Sequence, residues 1–284
     1  MTGRPAVRLA LLGLIGSLVA VGVGSRPSVS AAADERPGPK PTVVLVHGGW
    51  ADASSWNGVA ERLEDRGYTV VAPANPLRGL QNDAAYLSSI LATISGPIVL
   101  VGHSYGGMVM TDAATGNPNV KALVYIAAFA PDIGESIATL EAMNPGSEVG
   151  LSALTLRPYP GGVDAYITPS VFHRVFCADV PTSTAAVMAA TQRPIDAAVE
   201  ADPSGPPAWR TIPSWFLVAS DDHAIPPVTE RFMAQRAGAT TVEISASHVA
   251  MVSHPDTVTG LILDAARAPS QIDPSSRTLS ASST

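Results

Sequence analysis

Hydrophobic residues occur in short runs that alternate with amphipathic segments along most of the chain. Six of these runs are apolar over most of their length, as buried parallel strands are. The predicted strands are residues 42–46, 68–72, 97–101, 120–128, 214–219 and 241–244. The segments that connect them carry apolar residues at helical spacing. The predicted helices are near residues 56–63, 83–94, 108–114, 228–237 and 256–267.

This alternation predicts an α/β fold in which a doubly wound, mainly parallel sheet is covered by helices on both faces. Residues 42–131 and 211–267 would form this core. Sheets of this type bind their ligands at the carboxyl ends of the strands. The chemistry of the protein is therefore expected in the loops that follow the strands.

The alternation stops between residues 132 and 210. This segment leaves and re-enters the same sheet, so we expect a helical cap, or lid, inserted after the fourth strand; an independent second domain is the alternative. The runs with helical character are residues 136–143, 163–178 and 182–201.

Residues 1–33 have the features of a cleaved secretion signal. Arg4 and Arg8 precede an apolar run, and the alanine triplet at 31–33 suits an A-x-A cleavage site. The run contains glycines and is short for a spanning helix, which needs about 20 apolar residues, so a membrane anchor is the less favoured alternative. We therefore expect an extracellular protein with a Pro-rich linker at 34–41 and a disordered polar tail at 268–284.

Charge and cysteine content limit the classes of partner. The chain has 17 basic and 24 acidic residues, and removal of residues 1–33 takes away three arginines and no acid, so the net charge changes from −7 to −10. This balance argues against a nucleic-acid partner and against stable binding to an anionic membrane. The single cysteine, Cys177, follows Val175 and Phe176, which predicts a buried, inert thiol and no internal disulfide.

The strongest motif is Gly-x-Ser-x-Gly, with Ser104 at its centre. It follows a predicted buried strand and precedes a predicted helix, which is the context that a nucleophile elbow requires. The turn holds the serine in a strained conformation, so the residues two before and two after it must lack bulk. Gly102 and Gly106 meet that need. Gly107 would let the helix pack closely.

A nucleophilic serine needs a base and an acid that orients the base. Among the histidines of the chain, His248 follows the last predicted strand and comes late in the chain, in the order Ser, acid, His that hydrolases of this architecture use. His254 is the alternative base. Three carboxylates follow strands and remain open as the acid: Asp132, Asp221 and Asp222.

The developing oxyanion needs two backbone N–H donors. Tyr105, the residue after the nucleophile, provides one, and Gly49, in the loop after the first strand, suits the second because no side chain shields its N–H. The chain has no clustered metal ligands, no phosphate loop and no dinucleotide fingerprint, so we expect neither a metal nor a cofactor.

Together these motifs resemble the α/β-hydrolase superfamily, and more narrowly its small esterase branch, which includes plant methyl-ester esterases, hydroxynitrile lyases and related bacterial esterases. The resemblance covers residues 42–267 and rests on four stretches of sequence. They are His47-Gly48-Gly49-Trp50, residues 102–107, residues 222–226 and Ser247-His248.

The resemblance implies several assignments that the residues alone leave open. The family's acid typically lies four residues before a proline, which favours Asp222, four before Pro226, over Asp221. The family's oxyanion amide lies two residues after the loop histidine, which is Gly49. The position of the cap also matches, whereas we expect no counterpart of the antiparallel strands that precede the first parallel strand in many relatives.

The expected activity is that of a secreted serine hydrolase of small-to-medium apolar carboxylic esters or lactones, acting through an acyl-enzyme intermediate. The expected substrate pocket includes Trp50, Val249, Phe172 and Phe176. A cofactor-free haloperoxidase or perhydrolase is the main alternative. A lyase and a ligand-binding protein on the same fold are less favoured, the lyase because Val249 stands where hydroxynitrile lyases of this family carry a lysine.

Overall fold

The computed structural model describes residues 39–268. The predicted secretion signal, most of the linker and the tail after residue 268 lie outside the described residues. Along the chain the strands are β1 (Thr42–Val46), β2 (Val70–Val71), β3 (Ile98–Ser104), β4 (Val120–Ala128), β5 (Leu154–Tyr159), β6 (Gly162–Ile167), β7 (Ile195–Asp196), β8 (Ser214–Ala219) and β9 (Thr240–Ile244).

The α-helices lie between these strands and after the last of them. They are α1 (Asn57–Glu64), α2 (Leu80–Leu91), α3 (Tyr105–Ala113), α4 (Ile137–Met143), α5 (Pro169–Phe176), α6 (Thr182–Thr191), α7 (Pro227–Arg236), α8 (Ala250–Ser253) and α9 (Pro255–Arg267). In the described part of the chain, no helix has both the length and the apolar character needed to cross a bilayer.

Six strands form one parallel sheet in the order β2-β1-β3-β4-β8-β9. The predicted fold class is therefore confirmed. Alternate residues of β1 pack on opposite faces: Val44 and Val46 join the apolar cluster with α2 and α3, and Val43 and Leu45 join the cluster with α1 and α9. Burial on both faces explains why the central strands are continuous apolar runs.

The predicted strand bounds are correct for β1, β4 and β8, and the error at β2 has a local cause. β2 is shorter than predicted because the Tyr68 N–H bonds to the end of α1, at the carbonyl of Leu63, 3.1 Å away. The N-terminal cap of the first helical segment is Asp52. Its side chain accepts the Ser54 N–H at 2.8 Å and begins a 3₁₀ turn, Ala53–Trp56, that leads into α1.

The sequence analysis predicted a helical cap after β4, but the inserted segment also contains strands. β5, β6 and β7 form a separate antiparallel sheet, and residues 163–167, predicted to be helical, belong to β6. Tyr159 pairs with Gly162, so Pro160 and Gly161 make a two-residue turn, with φ +108° at Gly161. Such a turn favours a hairpin over a helix.

The inserted segment belongs to the same compact unit as the parallel sheet. Two of its contacts reach the loop after β1: the Trp50 indole N–H donates to the carbonyl of Ala165 at 2.9 Å, and the Trp50 backbone N–H donates to Arg193 at 3.0 Å. A third joins the Asp196 N–H to the carbonyl of Leu77 at 3.0 Å. These bonds hold the segment over the carboxyl ends of β1 and its neighbours.

Candidate active site

Ser104 lies on a sharp turn between β3 and α3, with φ 55° and ψ −127°. This backbone conformation is strained for a residue with a side chain, and close packing maintains it. A Cβ atom at Gly102 would come within 2.7 Å of the backbone of Gly106 and Gly107, and one at Gly106 would come within 2.5 Å of the Val46 carbonyl. The glycines of the motif are thus required by the approach of the turn to its neighbours.

Gly107 meets the end of β4, as the sequence analysis expected for a close helix–strand contact. A Cβ atom there would lie 2.5 Å from the Phe129 carbonyl oxygen and 2.8 Å from the Ala128 side chain. Gly48, in the loop after β1, is equally constrained, because a Cβ atom would lie 2.6 Å from Cβ of Ser104. The loop, the elbow and β4 therefore meet without intervening side chains.

His248 follows β9, and Asp222 follows β8, the neighbouring strand. The imidazole Nδ1 lies 2.6 Å from Oδ2 of Asp222, and both side chains are buried. Because the carboxylate accepts, Nδ1 is the donor, and in the neutral imidazole Nε2 then carries the lone pair. Within residues 39–268 this Nε2 has no hydrogen-bond partner, and the His248 ring lines the same cavity as Ser104.

Asp222 is held by more than the imidazole. Its Oδ1 accepts the backbone N–H groups of Ala224 at 2.6 Å and Ile225 at 2.8 Å. Both carboxylate oxygens are therefore engaged, which fixes the plane of the carboxylate and with it the direction of the histidine.

The other sequence candidates lie elsewhere. Asp221 is exposed and accepts the Ser245 hydroxyl at 2.6 Å, and Asp132 pairs with Arg210. His254 lies at the start of α9, 3.6 Å from a carboxylate oxygen of Asp179. The geometry therefore brings Asp222 and His248 together with Ser104.

The two predicted oxyanion donors both line the cavity beside Ser104. Tyr105 is the first residue of α3, where a backbone N–H has no intrahelical acceptor and the helix dipole favours negative charge. Gly49 lies in the loop after β1. Its neighbour Trp50 has φ 56° and is bound through its N–H to Arg193, which keeps this loop in one conformation.

His47 and His103 support the site from behind. The Nε2 of His47 accepts the Asn75 N–H at 2.9 Å while Nδ1 donates to the Gly48 carbonyl, and burial lowers the pKa of His47 to about 4. The Nε2 of His103 donates to the backbone carbonyl of His248 at 2.9 Å, and burial holds the pKa of His103 well below its usual value. Both rings are therefore neutral, and their hydrogen bonds stabilise the backbone around the site.

Cys177 is buried, as expected, and burial raises the pKa of its thiol to about 12. A thiol of this kind is protonated at neutral pH and is a poor nucleophile.

The cavity over Ser104 has a volume of about 320 Å³ and mostly apolar walls. The inserted segment supplies much of the lining, with three carboxylates among the apolar side chains. The lining residues from this segment are Ile137, Glu141, Val149, Gly150, Leu151, Leu154, Leu156, Ala165, Ile195, Asp196, Ala197, Val199 and Glu200. Burial and the negative charge of Glu200 raise the pKa of Glu141 to about 7.

Of the predicted pocket residues, Trp50 lines the cavity, whereas Val249, Phe172 and Phe176 do not. All three are fully buried in the apolar cluster on one face of the sheet. The Phe176 ring packs against the ring of His248, with centroids 5.2 Å apart, and Phe172 packs behind Phe176 at 5.0 Å. These phenylalanines therefore support the histidine without lining the cavity.

Part of the wall that the sequence analysis missed comes from the small antiparallel sheet. Leu154 and Leu156 of β5, Ala165 of β6 and Ile195 of β7 take the places assigned to the phenylalanines. The Pro160-Gly161 turn was the available signal, because it separates two short alternating runs as a hairpin turn does.

Residues 43–261 match the profile of the alpha/beta hydrolase family. The chain belongs to this family. Among curated relatives, it is 34% identical to a carbendazim hydrolyzing esterase of Nocardioides sp. over 110 residues, which cover 34% of this chain and 46% of that protein. It is 28% identical to a pyrethroid hydrolase of Sphingobium wenxiniae over 261 residues, covering 81% of this chain and 89% of that one.

Among solved structures, the fold is similar to that of polyneuridine aldehyde esterase. The TM-score is 0.69 at 21% identity, over 80% of this chain and 99% of the other. At this level of identity the likeness concerns the fold. The predicted resemblance to the small esterase branch is confirmed by these relatives together with the family match.

Proposed function

We propose that this chain is a secreted serine hydrolase that cleaves small-to-medium apolar carboxylic esters or lactones through an acyl-enzyme intermediate. The observation that carries the proposal is the position of His248. Its Nδ1 is fixed 2.6 Å from Asp222, its Nε2 is unengaged among residues 39–268, and its ring shares a cavity with Ser104. The names of the relatives, an esterase and a pyrethroid hydrolase, support the same reaction class.

In the proposed mechanism, Nε2 of His248 takes the proton of Ser104 while Oγ attacks the ester carbonyl. The negative charge that develops on the carbonyl oxygen is stabilised by the N–H groups of Gly49 and Tyr105. Asp222 stabilises the imidazolium, which then protonates the leaving alcohol. Water, activated by His248, hydrolyses the acyl-enzyme by the same route and restores Ser104.

The cavity supports the proposed substrate class. Its volume of about 320 Å³ suits a compact ester, and its walls of Leu154, Ala165 and Ile195 favour apolar groups. The position after the histidine is Val249, which is fully buried. A lyase that releases cyanide would need a cation at this position, and valine provides none.

The experiment is to give the purified protein p-nitrophenyl esters of graded acyl length, with mandelonitrile in parallel. We expect hydrolysis that is greatest for short or medium acyl chains and no cyanide release above the spontaneous rate. Ser104→Ala should reduce ester hydrolysis by about 10⁴-fold or more, with the fold retained. Faster cyanide release than ester hydrolysis, or a Ser104→Ala variant that keeps most of its activity, would contradict the proposal.

A further inference from the structure

A second carboxyl group lies beside the acid of the proposed triad. Glu230 is in the first part of α7, and its side chain is fully buried. Its Oε2 accepts the Ala219 N–H, at the end of β8, at 3.1 Å. The side chain is also within hydrogen-bonding contact of the Asp222 carboxylate.

The other oxygen, Oε1 of Glu230, is buried and accepts no hydrogen bond from any of residues 39–268. An ionised carboxylate can only accept hydrogen bonds, so an ionised Glu230 would leave this oxygen unsatisfied and would place two negative charges in contact. A protonated carboxyl group instead has one O–H to donate, and an acceptor, Asp222, is next to it. The local hydrogen bonding is complete only with a proton between the two carboxyl groups.

The proton belongs on Glu230, because the donors are distributed unequally between the two groups. Asp222 accepts from three N–H groups, those of Ala224, Ile225 and His248, which favours its charged form. Glu230 accepts from one N–H group.

The charged side chains around Glu230 give the same assignment. The neighbouring cation, Arg231, is exposed and pairs with Glu243 of β9 at 2.6 Å, so its charge is largely compensated. Burial and the negative charge of Asp222 raise the pKa of Glu230 well above its usual value.

We propose that Glu230 is a positioning residue that stays protonated at neutral pH and donates its O–H to Asp222. The proposal rests on the role of Asp222 in the proposed triad. A neutral donor holds the carboxylate against His248 without adding a second negative charge behind it. An ionised Glu230 would instead repel the Asp222 carboxylate.

Two substitutions separate protonated from ionised Glu230. Glu230→Gln keeps both roles without a titratable group, since the amide oxygen accepts from Ala219 and the NH₂ group donates to Asp222. Glu230→Met keeps the volume and removes both. We expect Glu230→Gln to stay within about threefold of the wild type and Glu230→Met to lose about 10- to 100-fold in kcat with little change in KM, as for loss of a hydrogen bond to a charged group. Glu61→Gln, on the exposed face of α1, is the control.

Infrared spectroscopy tests the proton directly. At pH 8 the difference spectrum between wild type and Glu230→Gln should contain the carbonyl band of one protonated carboxylic acid, and the difference spectrum for Glu61→Gln should contain none. This readout needs no substrate, so it decides the protonation state even if the protein hydrolyses no ester, and it does not depend on whether Glu230→Met folds.

Either of two results would overturn the assignment of the proton to Glu230. One is a difference spectrum between wild type and Glu230→Gln that contains no band of a protonated carboxylic acid. The other, in an active wild type, is a Glu230→Gln variant as impaired as Glu230→Met, because that result would require the negative charge of Glu230. Wild-type kcat in a folded Glu230→Met variant would likewise remove the positioning role.

Discussion

The role of Asp222 can be tested with a substitution that leaves its shape unchanged. In Asp222→Asn, the amide oxygen can keep the N–H groups of Ala224 and Ile225, which lie 2.6 and 2.8 Å from Oδ1 in the wild type. The amide NH₂ then faces Nδ1 of His248. Since NH₂ only donates, Nδ1 must become the acceptor and the imidazole proton must move to Nε2.

An imidazole with its proton on Nε2 cannot accept the proton of Ser104. The expected loss in kcat is about 10⁴-fold, or about 5.5 kcal/mol of transition-state stabilisation. The fold should be retained, because the two backbone hydrogen bonds to residue 222 remain. The matched control is Asp221→Asn, one residue earlier, where the carboxylate is exposed and accepts the Ser245 hydroxyl. It should stay within about threefold of the wild type, as surface substitutions do.

The assay is steady-state hydrolysis of the best p-nitrophenyl ester, with thermal unfolding of each variant as the check on folding. Labelling with a fluorophosphonate provides a second readout, since it reports the nucleophilicity of Ser104 without turnover. A larger loss in Asp221→Asn than in Asp222→Asn would refute the assignment of the acid. Similar losses in both variants would show that the charge of the loop, and not the tautomer of His248, matters.

Two further predictions concern the cavity and the N-terminus. The pKa of Glu141 is raised to about 7, so its side chain on the cavity wall is neutral below that pH and negatively charged above it. The KM of an ester with a trimethylammonium end should therefore fall about two- to fivefold as the pH rises past 7, relative to its neutral isostere, and Glu141→Gln should abolish the difference. Protein from a culture supernatant should begin near Asp34 by mass spectrometry; intact Met1 on cytoplasmic protein would exclude secretion.

The parallel sheet could be predicted from the sequence because burial on both faces leaves a strong local signal. A strand such as β4 has no polar face, so its apolar run coincides with its bounds, Val120–Ala128. The candidates Ser104 and His248 followed from the same pattern, since the carboxyl ends of parallel strands meet at one edge, whereas the choice of Asp222 over Asp221 and Asp132 needed the resemblance to a known family. Local patterns of this kind do not depend on distant contacts.

The substrate pocket could not be predicted in the same way. Val249, Phe172 and Phe176 are apolar and close to the catalytic loops, but sequence does not tell which side of the His248 ring they occupy. Phe176 packs against the His248 ring in the apolar cluster of one sheet face and does not line the cavity. The cavity wall is decided by where the β5–β6 hairpin folds back, which depends on contacts such as that between Trp50 and Ala165.

Glu230 illustrates a further limit, and also a signal that sequence analysis can use. A glutamate between threonine and arginine suggests an exposed helix position, yet its neighbours at i+3 and i+4, Met233 and Ala234, are buried. Residues with this spacing share one face of a helix, so the glutamate faces the sheet. A charged residue on a buried face needs a partner or a proton. Because α7 follows the acid loop directly, the group that it meets is Asp222, and the proton that the pair shares is the feature that the infrared experiment measures.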